Sequence, residues 1–168
     1  MRAVEILRVA GVIAAEDTRV TRRLLDHYGI TARLIAVHEH NEQRAAGEVL
    51  DILGSGASVA LVSDAGTPGI SDPGARLVAM THAAGYAVCP VPGASAAAAA
   101  VSASGFPSPH FLFYGFLPAR EGARRKALAT LAALPYTLVF YEAPHRVADC
   151  VGDLTAVLGV QRRILFAR

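Results

Sequence analysis

Residues 61–74 read LVSDAGTPGISDPG, an apolar run that gives way to a loop with two Asp, two Ser, three Gly and two Pro. The apolar part belongs to SVALVS (58–63), whose short continuous hydrophobic pattern is typical of a buried strand. Gly66, Gly69 and Gly74 can adopt positive φ and let the backbone approach a ligand closely. A loop of this composition at the carboxyl end of a buried strand predicts a binding site.

The rest of the N-terminal half repeats this arrangement. Further apolar strands are predicted at 12–16, 33–37 and 86–91, and helices at 3–10, 18–28, 41–53, 72–85 and in the Ala-rich segment after PGAS (92–95). Thr18, Asn41 and Asp72 are candidate N-caps. Apolar strands that alternate with helices predict an α/β fold with a mostly parallel sheet flanked by helices. The polar clusters then meet at the carboxyl ends of the strands.

The amino-acid composition of the chain changes after Gly105. The Pro- and aromatic-rich segment 106–118 suggests a linker into a second domain. Its side chains Phe111, Phe113, Tyr114 and Phe116 could stack on bases, but we expect them in the core. A basic helix (120–134), a strand (137–142), a helix (145–158) and a last strand, RILFA (163–167), are predicted to follow. We therefore expect an N-terminal α/β domain at 1–108 and the start of a second α/β domain at 109–168. Because the chain begins on a helix and ends on a strand, both ends look truncated.

Composition narrows the class of protein. The chain is 53% hydrophobic with a formal net charge of +2, which favours a packed core and excludes global disorder. Cys89 and Cys150 form no CxxC pair, as expected in a reducing cytoplasm. The sequence has neither a run of about 20 apolar residues nor a signal-peptide pattern, so we expect a cytoplasmic protein without a membrane span.

Asp64 is the candidate ligand-binding residue of the 61–74 loop. The loop has neither the GK[ST] of a phosphate-binding loop nor GxGxxG, and its two carboxylates would repel phosphate. A carboxylate at a strand end can bind ribose hydroxyls or face a positive charge. S-adenosylmethionine carries both a ribose and a positively charged sulfonium. PGAS could form the other wall of the same crevice. The alternative is that Asp64 only stabilises an elaborate turn.

Three further polar segments could carry chemistry. EDTR (16–19) and YEAPHR (141–146) each place a carboxylate beside a guanidinium at a strand end, which suits either a general base or a capping box with an ion pair. In HEHNE (38–42), His38 and His40, with Glu39 and Glu42 nearby, suggest a metal site and hence a hydrolase, but no convincing third ligand is present. Substrate contact or structural hydrogen bonding is favoured there, and no metal is expected.

Seven segments, in order along the chain, resemble one family. They are AEDTR…TRRLL, HEHNE, LVSDAGTPGISDPG, VPGASA, SASGFP, FYGFLPAREGARRK and LVFYEAPHR. Together they are similar to the bacterial 16S ribosomal RNA (cytidine-2′-O)-methyltransferases of the tetrapyrrole methylase-like, class III superfamily. The resemblance implies a two-domain fold that holds S-adenosylmethionine between the domains, and a homodimer. It also implies methylation of a cytidine 2′-oxygen in small-subunit ribosomal RNA.

The sequence departs from the family at several places. The family's opening strand and Gly-containing turn are absent, and its second domain continues past Arg168. Ala94 and Ala143 stand where the family usually has Pro and Ser. Two alternatives therefore stay open beside RNA methylation: a porphyrin-type C-methyltransferase of the same superfamily, and a non-catalytic RNA-binding fragment.

The resemblance assigns roles by motif. The cofactor residues are Ser63, Asp64, Ala65, Gly66, Thr67, Ser95, Ala96 and Tyr141. The candidates for the catalytic base, which the sequence does not single out, are Glu16, Asp17, Glu39 and Glu142. The hypothesised RNA-phosphate contacts are Arg19, Arg22, Arg120, Arg124, Arg125, Lys126 and Arg146.

Overall fold

The computed structural model describes residues 2–168, which divide into two units at Ala94/Ser95. The first unit contains α1 (Arg2–Val9), β1 (Val12–Ala15), α2 (Thr18–His27), β2 (Arg33–Ala36), α3 (Glu42–Gly54), β3 (Val59–Val62) and α4 (Ala75–Ala83). The second contains α5 (Ala96–Ala103), β4 (Phe111–Phe116), α6 (Glu121–Ala132), β5 (Thr137–Tyr141), a 3₁₀ turn (Pro144–Arg146) and α7 (Val147–Leu158). The α/β class expected from the sequence is confirmed.

The first unit has a parallel three-stranded sheet in the order β2-β1-β3. The register pairs Ala15 of β1 with Ala36 of β2 and with Val62 of β3, so the three strands end level with one another. All four residues of β1 are buried, as its central position requires. The loops that leave the three strands therefore start side by side at one edge of the sheet.

Helices cover both faces of this sheet. Val12 and Ala14 belong to a core cluster with residues of α3 and α4. Ile13, whose side chain points to the opposite face, belongs to a second cluster with Leu7 of α1 and Leu25 of α2. The continuous apolar pattern of β1 thus arises because this central strand is buried on both faces.

Two of the predicted strands are wrong. Residues 86–91 and 163–167 are not in strands, and Val88 and Phe166 are exposed. A strand is stable only when its N–H and C=O groups are bonded to a neighbour, and neither segment is paired in the two sheets of the described chain. The apolar pattern alone does not provide that neighbour.

The second unit contains a parallel pair, β4 and β5. The register shifts between Phe113 and Gly115, as at a β-bulge. The segment read as a linker therefore contains a strand. The expectation of buried aromatics is wrong for Phe111, Tyr114 and Phe116, whose exposed fractions are 46%, 40% and 52%. Since α5 contacts β5, the second unit begins earlier than the expected boundary at 108/109.

A buried ion pair joins α6 to α7 beside the second unit's core. Arg124 Nε donates to Asp153 Oδ2 at 2.6 Å, and the two side chains are only 5% and 4% exposed. Arg125 Nε donates to the other oxygen, Oδ1, at 2.6 Å, and Arg124 also donates to the carbonyl of Ala119. These hydrogen bonds lower the pKa of the Asp153 carboxyl, and the bond from Arg125 has the largest effect.

None of the helices within residues 2–168 combines the length and apolarity needed to cross a lipid bilayer.

We predict that Asp153→Asn destabilises the second unit because it leaves Arg124 buried without a counter-charge. Its thermal midpoint should fall by at least about 5 °C. A carboxyl whose folded pKa is lowered stabilises the fold above its unfolded pKa, about 3.9, and loses that contribution as the pH falls through the folded value. The difference in thermal midpoint between the variant and the unsubstituted chain should therefore become smaller in acid.

Asp149→Asn, which changes an exposed carboxylate of the same helix, is the control. Equal effects of the two substitutions would contradict the role of the buried pair.

Candidate functional site

The loops that leave β1 and β3 are tied together by two carboxylates. Asp64 N–H donates to Glu16 Oε2 at 3.1 Å, and Asp17 N–H donates to Asp64 Oδ1 at 3.2 Å. Glu16 N–H donates to the carbonyl of Val62 at 3.2 Å. Each loop thus supplies a carboxylate oxygen to the backbone of the other. The remaining oxygens, Glu16 Oε1 and Asp64 Oδ2, accept no hydrogen bond from residues 2–168.

Asp17 is engaged in the start of α2. Its Oδ1 accepts the Arg19 N–H at 2.8 Å, so the N-cap is Asp17 and the expectation of Thr18 was wrong. The Arg19 guanidinium also donates to both oxygens of Asp17, the shorter distance being 2.6 Å. These bonds hold the pKa of the Asp17 carboxyl well below its usual range. A carboxylate with so low a proton affinity is a poor general base.

The 63–74 loop is shaped by positive φ angles. Gly66, Gly69 and Gly74 have φ of 75°, 79° and 128°, and Ser71, at 62°, is the one non-glycine residue of the described chain with positive φ. Gly69 N–H donates to the Pro73 carbonyl at 3.1 Å, which closes the turn. A Cβ at position 74 would lie 2.9 Å from Leu61 Cδ2. Residues 64–67 are exposed, so a ligand can reach their backbone.

The turn within the HEHNE segment is organised by the side chain of Asn41. Asn41 Oδ1 accepts the His38 N–H at 2.8 Å, and its Nδ2 donates to the carbonyl of Ala36, the last residue of β2. Asn41 occupies the N-cap position of α3 but makes no side-chain cap bond. The rings of His38 and His40 lie 6.2 Å apart, and no three potential ligands gather within residues 2–168.

The N-terminus of α4 is capped from another element. The sequence placed the start of this helix at Asp72-Pro73, but α4 begins at Ala75 with Gly74 as its N-cap. The acceptor is Glu42 of α3, whose Oε1 receives the N–H groups of Gly74, Arg76 and Leu77 at 2.8–3.0 Å. No local pattern could reveal this contact, because Glu42 lies 32 positions before Gly74.

In the second unit, two of the predicted cofactor residues start α5. Ser95 is its N-cap, with Oγ accepting the Ala98 N–H at 3.3 Å, and Ala96 is its first residue. Tyr141 ends β5 and makes edge contacts with Phe113 and Phe116 at centroid distances of 4.9 and 5.7 Å. These residues lie at the start of one helix and the end of one strand.

Glu142 forms local contacts in the same unit. It accepts from Ala143 N–H and from Arg146, which also donates to the carbonyl of Leu117 at 2.7 Å. The neighbouring thiol of Cys150 is buried, which raises its pKa to about 11 and makes it unreactive.

The predicted RNA-binding arginines fall into two groups. Arg19, Arg22, Arg120 and Lys126 are exposed. Arg124 is buried against Asp153, Arg125 bonds Asp153 and Glu121, and Arg146 is 22% exposed beside Glu142. The paired charges of this second group argue against a role in phosphate binding, and the ion pair of exposed Arg19 with Asp17 weakens the case for Arg19 in the same way.

The structure therefore brings together Glu16, Asp17 and Asp64 among the predicted site residues of the first unit. Glu39 lies in the exposed loop after β2, at the same edge of the sheet, and no hydrogen bond in the described chain orients its side chain. Sequence reasoning missed the role of Glu42, which it placed only near a hypothetical metal.

Comparison with known proteins adds a family match. The model of the tetrapyrrole (corrin/porphyrin) methylases matches residues 1–168. A ribosomal RNA small subunit methyltransferase I from Xylella fastidiosa (strain Temecula1) is 55% identical over 167 residues, covering 99% of this chain and 61% of the relative. Proteins of that name from Escherichia coli O157:H7 and Pseudomonas aeruginosa are 52% and 50% identical over 99% of this chain and 58% and 59% of their own lengths. The chain thus spans about three fifths of these relatives.

We predict opposite effects of two glycine substitutions in the first unit. Gly74→Ala should destabilise by more than about 1 kcal/mol, because it adds both an unfavourable φ and a clash with Leu61. Gly47→Ala, inside α3 with open space around it, should stabilise by roughly 0.5–1 kcal/mol. Urea unfolding of both variants measures the difference. A neutral Gly74→Ala would show that the loop does not need its positive φ there.

Proposed function

Because the chain belongs to the tetrapyrrole (corrin/porphyrin) methylase family, we propose that it is part of an S-adenosylmethionine-dependent methyltransferase. The proposed product is 2′-O-methylated cytidine in 16S ribosomal RNA. The names of the relatives, which are ribosomal RNA small subunit methyltransferases, support the RNA substrate. Cytidine as the target nucleotide and its 2′-oxygen as the methyl acceptor are proposed on the resemblance of the seven motifs. Family membership itself implies a methyl donor.

The observation that carries the proposal is the pair of tied loops after β1 and β3. One oxygen of Asp64 bonds the Asp17 N–H, so the carboxylate is fixed while its second oxygen is available. That oxygen can accept hydrogen bonds from ribose hydroxyls, and its charge suits a sulfonium centre. The exposed backbone of residues 65–67 lies beside it. When bound, S-adenosylmethionine supplies the methyl group as an electrophilic carbon.

The remaining cofactor contacts in the proposal are Ser63, Ser95, Ala96 and Tyr141. Ser63 Oγ donates to the carbonyl of Ala65 at 3.1 Å, which supports a role in shaping the loop. The three residues of the second unit are proposed on the motif resemblance.

We assign the general base to Glu16. Its Oε2 is held by the Asp64 N–H, which leaves Oε1 to accept the proton of the 2′-hydroxyl. Asp17 is a weaker candidate for the base because its carboxylate bonds Arg19. Glu142 is weaker for a similar reason, since its carboxylate is paired with Arg146. Glu39 lacks a contact that would orient it. A base that is already positioned accelerates proton transfer without reorganisation.

The proposed RNA contacts are the exposed cations Arg19, Arg22, Arg120 and Lys126. Phosphate binding by such side chains releases counterions and depends strongly on salt. Assembly as a homodimer and a cytoplasmic location belong to the same proposal, on the resemblance and on the RNA substrate. Light scattering, which measures the molar mass in solution, tests the dimer. A monomer at all accessible concentrations would contradict the proposed dimer.

We predict that two carboxylates have separable effects. Asp64→Ala should weaken S-adenosylmethionine binding by about 10- to 100-fold, as expected for a lost hydrogen bond to a charged group. Asp64→Asn should lose less, because its amide oxygen can still accept the Asp17 N–H. Glu16→Gln should retain binding but slow methyl transfer to isolated small ribosomal subunits by about 10²- to 10⁴-fold. Calorimetry and transfer of a labelled methyl group provide the two measurements.

Asp51→Asn, on the exposed face of α3, and Glu39→Gln are the controls for these variants. Failure of the unsubstituted chain to bind S-adenosylmethionine would overturn the proposal. Methyl transfer to a tetrapyrrole in place of the subunit would favour the porphyrin-type alternative. Subunit binding without any transfer would favour the non-catalytic RNA-binding alternative.

We predict that Arg22→Ala, Arg120→Ala and Lys126→Ala each weaken subunit binding and flatten its salt dependence. Each lost phosphate contact should reduce the slope of log affinity against log salt by about 0.7–0.9. Arg33→Ala, which removes an exposed arginine paired with Glu48, is the control. An unchanged slope in all three variants would show that these residues do not meet phosphate.

A further inference from the structure

One carboxylate oxygen fixes the end of the 63–74 loop. Glu42 Oε1 accepts the N–H groups of Gly74 at 3.0 Å, Arg76 at 2.8 Å and Leu77 at 3.0 Å. The first N–H groups of a helix have no acceptor within that helix. The negative charge of Glu42 also opposes the positive end of the α4 dipole. The bonds are therefore strong, and they join α3 to the last residue of the loop.

The backbone at Glu42 is itself held in place. The preceding residue, Asn41, bonds Ala36 and His38 and so fixes the turn between β2 and α3. Behind Glu42, Ala46 and Val49 of α3 pack in the same buried cluster as Leu77 of α4. Glu42 thus reaches the loop from a support that both the sheet and the core make rigid.

The loop is tied at its beginning in a similar way. Asp64 N–H bonds Glu16, which follows β1, and Gly74 N–H bonds Glu42, which follows β2. The strand order β2-β1-β3 places these anchors side by side, so the loop after β3 is secured to the exits of both other strands. The residues proposed to bind the cofactor, 63–67, lie between the two anchors.

We propose that Glu42 is a positioning residue for the methyl-donor site. It acts through the N–H groups of Gly74 and α4, and sets the conformation of the loop without touching the cofactor. This inference rests on the proposed function, since it takes residues 63–67 as the cofactor loop. It also gives the last residue of HEHNE a role in cofactor affinity in place of metal binding.

The test compares Glu42→Ala, Glu42→Gln and Glu48→Ala. Glu48 lies on the same helix, and its carboxylate bonds exposed Arg33, so its removal is a matched control. Glu42→Ala should weaken S-adenosylmethionine binding, measured by calorimetry, by about tenfold, the size expected when a helix loses its N-terminal cap. Glu42→Gln retains an acceptor oxygen and should lose less than about threefold. Glu48→Ala should bind as the unsubstituted chain does.

Two further readouts separate positioning from general destabilisation. The turnover rate at saturating cofactor should stay within about twofold in Glu42→Ala while the KM for S-adenosylmethionine rises, because no interaction special to the transition state is lost. Amide hydrogen exchange should accelerate at Gly74, Arg76 and Leu77 but not in β1. Exchange that accelerates throughout the unit would indicate unfolding and overturn the inference.

The outcomes distinguish this inference from the function on which it rests. If the unsubstituted chain binds S-adenosylmethionine and Glu42→Ala binds it equally well, the positioning role is overturned and the proposed function stands. If the unsubstituted chain does not bind it, the proposed function fails and the role of Glu42 fails with it.

Discussion

The site depends on the level ends of three parallel strands. Because Ala15, Ala36 and Val62 share one register, the loops that follow them emerge close together. Carboxylates from the first two loops can then reach the backbone of the third. Parallel sheets place binding residues at this edge in general. Here the edge also provides the bonds that fix the loop, and a shift of one strand by one residue would separate donors from acceptors.

Acidic side chains serve two purposes at this edge. Glu16 and Asp64 each accept a backbone N–H with one oxygen and leave the other oxygen available. A single carboxylate can therefore both hold the loop and bind a ligand. Both oxygens of Asp17 accept hydrogen bonds, from the Arg19 N–H at the start of α2 and from the Arg19 guanidinium. These bonds lower the pKa of the Asp17 carboxyl. At these two loops of the described chain, a free carboxylate oxygen distinguishes Glu16 and Asp64 from Asp17, which acts as a structural cap.

The second unit shows the same distinction for arginine. In sequence, Arg124 and Arg125 extend a basic cluster that resembles a phosphate-binding surface. In the structure they share Asp153, and Arg124 is almost wholly buried. Removing one member of such a pair costs more than the intact pair contributes, because the remaining charge stays desolvated. The cluster therefore mixes exposed cations that are unpaired within residues 2–168 with paired ones that join α6 to α7.

Much of the fold could be predicted from local pattern, because apolar period and cap chemistry depend on neighbours in sequence. That held for β1, β2 and β3 and for the helices between them, but not for Thr18 as the cap of α2, where the cap is Asp17. It failed for residues 86–91, where a strand requires a partner that hydrophobicity does not specify. It also failed at α4, where the local candidate Asp72 was displaced by Glu42.

The failure at α4 bears on how the motifs should be understood. HEHNE and SDAGTPGISDPG are separate in sequence, and each suggests its own chemistry when read alone. The structure joins them, because Asn41 sets the turn and Glu42 bonds the end of the second motif. Glu42 gives one oxygen, Oε1, to three N–H groups, which makes it the cap of α4 and the anchor of the loop's end. The acidic residues of HEHNE therefore divide, with Glu42 supporting the loop and Glu39 remaining exposed to solvent.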